Sequence, residues 1–124
     1  MTNLNLETVI ISIDGRGVAT LTLNRPEKRN ALNDALRGAL FDALRAAHRS
    51  RDISVIIIRG GGSCFSAGYD LGSPNHDVER SIAKADGWWS RHVVNNWLEM
   101  WDMATPIIGQ VHGWCLAGGT ELAA

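Results

Sequence analysis

A continuously apolar stretch in the middle of the chain constrains the fold most. Residues 54–60, SVIIIRG, are rich in β-branched side chains and show no polar alternation. Such a run is typical of a strand covered on both faces, as in a parallel sheet with helices packed against it. Residues 105–113, TPIIGQVHG, have the same character, entered through Pro106 and left through Gly113. We therefore expect short buried strands at both positions.

The chain before residue 54 predicts a hairpin and a helix. Residues 8–14 (TVIISID) and 18–24 (VATLTLN) are β-branched runs joined by GRG, which is typical of a hairpin. Pro26 favours an irregular loop in NRPEKRNAL, and Asn33 can cap the helix that follows. Apolar residues recur in that helix at three- and four-residue spacing: Leu36, Ala39, Leu40, Ala43, Leu44 and Ala47. The order β-β-α-β-α-β, then a helix start, predicts an α/β fold with a mixed or parallel sheet.

Composition excludes several classes of partner. The 124 residues are 45% hydrophobic, and 12 basic against 13 acidic residues give a net charge of −1. This balance fits one globular unit and provides no electrostatic footprint for nucleic acid or an anionic membrane. No signal peptide or membrane-spanning run is visible, so we expect a cytoplasmic location. Cys64 and Cys115 lack metal-ligand spacing, which predicts free thiols and no metal site.

A tryptophan-rich stretch predicts a long middle helix over residues 78–103. It holds four of the five tryptophans. One face of this helix carries Trp89, Val93, Trp97, Met100, Trp101 and Ala104 at helical spacing. We interpret this face mainly as core or subunit interface, with lining of an acyl pocket as the alternative.

Two glycine-bearing segments could carry chemistry. GGGSCFSAGYDL, residues 60–71, follows a predicted strand, where glycine leaves backbone N–H groups open to an anion. A flexible turn is the simpler interpretation of this segment. HGWCLAGGTELAA, residues 112–124, predicts a strand end, a tight turn and a helix whose first amides have no partner inside it. Glu121 lies in the first turn of that helix, where the helix dipole favours an acid without any catalytic role.

The presence of both segments in one chain favours a functional interpretation over the structural one. Two separated sets of backbone donors beside one acid could stabilise an oxyanion or enolate while a proton is moved next to it. The pairing therefore favours a catalytic role for Glu121 over a purely electrostatic one.

Spaced motifs along the chain resemble the amino-terminal half of the enoyl-CoA hydratase/isomerase family, the crotonases. They are LNRPEKRNALN, FSAGYDL and TPIIGQVHGWCLAGGTELAA, and the match covers residues 8–124, least clearly at 77–104. The resemblance implies a crotonase-like spiral of ββα units, of which residues 1–124 are the amino-terminal part of one domain. We expect this sequence to be truncated just after the start of the helix that begins near Gly118. The resemblance also implies trimers or pairs of trimers.

Site residues follow from the same resemblance, position by position. It implies an acyl-CoA substrate, with coenzyme A as part of the substrate and no separate cofactor. The thioester oxygen would be held by the backbone N–H groups of Tyr69 and Gly118, and Glu121 would be the first catalytic acid. The coenzyme A and substrate contacts would be Arg25, Lys28, Arg29, Ser66, Ala67, Gly68, Asp70 and Leu71. The three cations could equally be solvated side chains of a proline loop.

Two departures from the family pattern limit the interpretation. Tyr69 stands where a small residue is frequent and places a phenol at the pocket edge. The second catalytic acid of the hydratases would follow Ala124, so we expect the 124-residue chain alone to be inactive and poorly folded. For the complete protein, enoyl-CoA hydratase is the leading prediction and double-bond isomerase the second.

Two functions of other classes stay open. A nucleotide-binding module would share the α/β pattern, although GxGxxG and GxxxxGK[ST] are absent from the sequence. A crotonase scaffold without activity could instead bind acyl-CoA or act as an interaction surface through its tryptophan-rich helix.

Overall fold

The computed structural model describes residues 2–5, 8–72 and 93–124, and these form a mixed sheet with helices. The strands are β1 (Thr2–Asn5), β2 (Val9–Ile13), β3 (Val18–Leu23), β4 (Val55–Gly60) and β5 (Ile107–Gln110). The helices are a 3-10 turn (Pro26–Lys28), α1 (Asp34–Arg49), α2 (Asn95–Asp102) and α3 (Gly118–Ala123). The predicted α/β class is confirmed.

The strands lie side by side in chain order. β1 with β2 and β2 with β3 are antiparallel, whereas β3 with β4 and β4 with β5 are parallel. The predicted hairpin is therefore confirmed as β2 and β3, and the predicted sheet is mixed. α1 connects β3 to β4, because two parallel neighbours need a crossover between them. β1 was not predicted: Thr2–Asn5 lacks a β-branched run and is held by its pairing with β2.

Helix α1 forms as its sequence predicts. The Asn33 side chain accepts a hydrogen bond from the Leu36 amide at 2.8 Å, which caps the first turn and is worth about 1 kcal/mol. The predicted apolar stripe is buried, with Ala39 partly exposed. The helix packs on β2 and β3, and each fully buried leucine contributes about 2 kcal/mol.

Burial of the sheet differs from the prediction in two places. β4 buries Ile56 and Ile58 on one face, while Val55 and Ile57 on the other face are only half-buried. β5 is shorter than predicted and is not a buried strand, because Ile108 is 52% exposed and Gln110 is exposed. The reason is position: β5 pairs with β4 alone and forms one edge of the described sheet.

Helix α2 lies within the predicted middle helix. Residues 78–92 of that prediction, with Trp89, fall outside the described residues. The Trp97 ring packs on Phe41 of α1 at a centroid distance of 5.6 Å, and two nitrogens of Arg45 donate to Glu99 at 2.8 Å. The expected single apolar face is divided, because Val93 is buried whereas Trp101 is 77% exposed.

Two further sequence predictions concern the cysteines and membrane-spanning segments. Both Cys64 and Cys115 are free thiols, as predicted. In the ranges that the structure describes, no helix has the length and apolar character needed to cross a membrane.

Candidate active site

The second glycine segment folds into a tight turn and a short helix, as predicted. Ala117 adopts a φ of 45° just before α3, and the Glu121 amide donates to the Ala117 carbonyl at 3.1 Å. Gly118 is the first residue of α3, so its amide has no acceptor within the helix and lies at the positive end of the helix dipole. Glu121 follows in the first turn and is exposed.

The first glycine segment packs directly against this turn. The Leu116 amide donates to the Ser66 carbonyl at 3.0 Å, and Ser66 forms a parallel bridge with Cys115. Gly68 has a φ of 101°, and a Cβ there would lie 2.8 Å from the Leu116 oxygen and 3.2 Å from the Gly118 nitrogen. Glycine is required because its backbone approaches the turn so closely. The structure thus brings the two predicted segments together.

The Tyr69 side chain covers the start of α3. A Cβ on Gly118 would lie 2.7 Å from the nearest Tyr69 ring atom, so the ring and the glycine backbone are in contact. The Arg37 guanidinium also lies 5.9 Å from the ring centroid, within the range of a cation–π contact. The ring therefore lies close to residues of both α1 and α3.

Tyr69, Trp97 and Glu121 form a hydrogen-bonded cluster. The Tyr69 hydroxyl donates to Glu121 Oε2 at 2.5 Å. Trp97 Nε1 lies 3.1 Å from both the Tyr69 hydroxyl and Glu121 Oε2. Burial, and next the hydrogen bond to Glu121, raise the pKa of Tyr69 to about 12. The phenol is therefore a neutral donor at physiological pH.

The predicted coenzyme A residues divide into an engaged group and an exposed group. Arg25 pairs with Asp70 at 3.1 Å and donates to the Ala31 carbonyl at 2.6 Å, and its side chain is 14% exposed. The buried Ser66 hydroxyl donates to the Asn30 carbonyl at 2.8 Å. The side-chain polar groups of these predicted residues thus have partners inside the protein.

The side chains of the exposed group are accessible to a ligand. Lys28 and Arg29 are exposed, and Leu71 is 99% exposed. The Ala67 amide donates to the Arg29 carbonyl at 2.9 Å, which joins the proline loop to the first glycine segment. The two predicted coenzyme A segments are therefore neighbours.

Sequence reasoning missed Asn30 and the polar role of Trp97. The Asn30 amide nitrogen donates to three carbonyls, those of Gly61, Cys64 and Phe65, at 2.9–3.1 Å. Asn30 also has a φ of 54°, a conformation in which asparagine is enriched. The signal for Trp97 was its indole N–H, which a half-buried tryptophan normally pairs.

An apolar cavity lies beside the cluster. Its volume is about 590 Å³, and Trp97, Met100, Leu122 and Glu121 are among its lining residues. In the described ranges, no group of three or more His, Cys, Asp or Glu side chains could hold a metal ion.

Comparison with known proteins then identifies the family. The sequence profile described as enoyl-CoA hydratase/isomerase matches residues 14–124. The chain belongs to the enoyl-CoA hydratase/isomerase family. A 2,3-dehydroadipyl-CoA hydratase of Escherichia coli is 37% identical over 118 residues, covering 95% of this chain and 44% of its own.

Other members of the family support the same fold. A mitochondrial Delta(3,5)-Delta(2,4)-dienoyl-CoA isomerase of Rattus norvegicus is 27% identical, covering 95% of this chain and 38% of its own length. The crystal structure of a probable enoyl-CoA hydratase from Mycobacterium smegmatis superposes with a TM-score of 0.84 at 32% identity, covering 95% of this chain and 46% of that one. The fold is therefore the crotonase fold, and the chain spans less than half the length of these relatives.

Proposed function

We propose that the complete protein acts on acyl-CoA thioesters, most directly as an enoyl-CoA hydratase. One observation carries this proposal: the segment that leads into Tyr69 packs on the start of α3, where a Cβ on Gly68 would lie 3.2 Å from the Gly118 nitrogen, and the Tyr69 hydroxyl donates to the Glu121 carboxylate. A carbonyl oxygen placed between two amides, with a carboxylate next to it, is the arrangement that enolate chemistry needs.

The backbone amides of Tyr69 and Gly118 are proposed to hold the thioester oxygen. As water adds to C3, the electron pair of the C2=C3 bond moves toward this oxygen, and the amides stabilise the enolate charge. A single oxyanion donor is typically worth about 10²- to 10³-fold in kcat. Glycine at position 118 fits this role, because a side chain there would collide with the Tyr69 ring.

Glu121 is proposed to act as the acid/base that transfers the proton of the attacking water. The water molecule supplies both the hydroxyl on C3 and the proton on C2, so the addition needs no redox cofactor. A positioned acid or base of this kind contributes about 10²- to 10⁴-fold. Support comes from the exposure of Glu121 and from its location at the edge of the apolar cavity.

Coenzyme A binding is proposed to use the exposed part of the proline loop. Lys28 and Arg29 are exposed and offer cations to the phosphates. Ala67 and Gly68 are proposed to shape the site, because their amides donate to the Arg29 carbonyl and the Ser66 hydroxyl and so hold the two segments together. Arg25 and Asp70 are proposed to act indirectly, because their ion pair joins the loop to the residue that follows Tyr69.

Double-bond isomerisation is the second candidate. The similarity to a dienoyl-CoA isomerase over 95% of this chain favours it, since both reactions pass through an enolate on the same kind of site. In an isomerase, Glu121 would move a proton between carbon atoms and no water would be added.

Assembly and location are further proposals. We propose that the complete protein forms a homotrimer or hexamer, supported by the exposed apolar side chains Trp101 and Ile108 on α2 and β5. Light scattering on the full-length protein tests this, and a monomeric mass would contradict it. A cytoplasmic location stays a prediction from the sequence.

Initial rates with the full-length protein test the proposed function. A short trans-2-enoyl-CoA should lose its enoyl absorbance in the presence of the wild-type protein, and Glu121→Gln should lower kcat about 10²- to 10⁴-fold. Asp52→Asn is the matched control, a carboxylate-to-amide change in an exposed turn, and should keep the wild-type rate. Acyl-CoA binding without turnover would instead favour the non-catalytic scaffold.

A further inference from the structure

Two hydrogen-bond donors converge on one oxygen of the candidate catalytic glutamate. The Tyr69 hydroxyl and Trp97 Nε1 both donate to Glu121 Oε2, at 2.5 and 3.1 Å. They come from different parts of the fold, one from the first glycine segment and the other from α2. Neither of these two donors engages Oε1.

Both donors are themselves held in place. The Tyr69 ring is in contact with Gly118 and lies near the Arg37 guanidinium. The Trp97 ring packs on Phe41, and Trp97 Nε1 also lies 3.1 Å from the Tyr69 hydroxyl. An exposed glutamate on a helix otherwise samples several rotamers, so this arrangement reduces the entropy that must be lost before proton transfer.

We infer that the Tyr69 hydroxyl and the Trp97 indole are positioning residues for Glu121, holding Oε2 so that Oε1 exchanges the proton with water. This inference rests on the proposed function. Tyr69 then has two separable roles, because its backbone amide is proposed to hold the thioester oxygen while its hydroxyl orients the acid. The high pKa of the phenol supports the second role, because the hydroxyl stays neutral and continues to donate a hydrogen bond to the carboxylate.

Removal of single donors tests the inference in the full-length protein. Tyr69→Phe deletes only the hydroxyl and retains the ring on Gly118 and the backbone amide. We expect kcat for enoyl-CoA hydration to fall about tenfold, with KM nearly unchanged, because orientation of Glu121 matters in the transition state and not for binding. Trp97→Phe should give the same pattern. Trp114→Phe, an exposed tryptophan outside the cluster, should leave both constants unchanged.

The double variant separates positioning from structural damage. Since both donors act through one carboxylate, Tyr69→Phe with Trp97→Phe should lose less than the product of the two single effects. A purely structural role would instead raise KM, lower the melting temperature and combine multiplicatively. Either that pattern or a wild-type kcat in Tyr69→Phe would overturn the inference.

Failure of the proposed function gives a different result. If Glu121→Gln is impaired while Tyr69→Phe and Trp97→Phe retain wild-type kcat, only the positioning inference is wrong. If Glu121→Gln itself keeps the wild-type rate, or the wild-type protein does not turn over an enoyl-CoA, both the function and the inference are wrong.

Discussion

The Asn30 side chain joins the proline loop to the turn that precedes Tyr69. Its amide nitrogen donates to the carbonyls of Gly61, Cys64 and Phe65, and its oxygen accepts a hydrogen bond from the Arg25 amide at 2.8 Å. Asn30 is fully buried, and its hydrogen bonds to Cys64 and Phe65 are buried as well, so these two carbonyls gain no water when the amide is removed. Asn30→Ala should therefore destabilise the protein strongly.

The magnitude follows from the groups that lose their partner. The Arg25 amide and the buried Cys64 and Phe65 carbonyls each cost about 1 kcal/mol when left unpaired. Alanine at a φ of 54° adds about 1 kcal/mol, because it lacks the short polar side chain that lets asparagine adopt the left-handed region. We expect Asn30→Ala to reduce the free energy of unfolding by about 4 kcal/mol.

Urea unfolding of the full-length protein at one fixed protein concentration measures this effect. Asn30→Gly removes the same amide but adopts positive φ easily, so it should recover no more than about 1 kcal/mol of the loss. Asn95→Ala, an exposed asparagine on α2, should change stability by less than about 0.5 kcal/mol. If both Asn30 variants unfold within about 1 kcal/mol of wild type, the amide does not hold this loop.

Three further predictions address single contacts. The tyrosinate absorbance of Tyr69, measured as the difference between wild type and Tyr69→Phe, should titrate near pH 12. Because the pKa of Tyr69 is raised in the folded state, the free energy of unfolding should fall as the pH rises from 10.0 toward that value. A titration midpoint near 10.0 would be contrary to the structure. The hydrogen bond from Arg45 lowers the pKa of Glu99, so their pair should stabilise the fold above the ordinary carboxyl pKa and be lost at lower pH. Glu99→Gln should therefore lower the free energy of unfolding by about 0.5 kcal/mol at neutral pH. Thermal unfolding measures this effect, and an unchanged melting temperature would refute the prediction. Gly38→Ala should stabilise α1 by about 1 kcal/mol in urea, since its Cβ meets nothing within 4 Å, and a loss would show hidden crowding.

Most elements were predictable because their signals are local. The Asn33 cap and the apolar spacing of α1 specify a helix without reference to the rest of the chain. The β-branched runs likewise predict β2, β3 and β4. The exposure of β5 was not predictable, because burial of a strand depends on what lies beside it in the sheet. β1 has no pattern of its own and forms through pairing with β2.

The candidate site was predictable in part. Glycine after a strand and an acid in a helix start indicated the segments that meet at Gly118, and the family resemblance assigned roles to them. The hydrogen bonds donated by Trp97 Nε1 and by the Asn30 amide nitrogen were not predictable, because each joins residues at least 24 positions apart. Arg25 illustrates the same limit: a loop cation can contact a ligand or an internal carboxylate, and only the tertiary structure shows its pair with Asp70.

Incorporation of heavy oxygen from labelled water distinguishes hydration by the full-length protein from double-bond isomerisation. The full-length protein is incubated with a short trans-2-enoyl-CoA in this water, and the mass of the product is measured by mass spectrometry. We expect the wild-type protein to form a 3-hydroxyacyl-CoA that carries one heavy oxygen on C3, and we expect Glu121→Gln to form almost none of it. A shifted double bond without heavy oxygen would contradict hydration and indicate isomerisation, and labelled product formed equally by Glu121→Gln would contradict the proposed site.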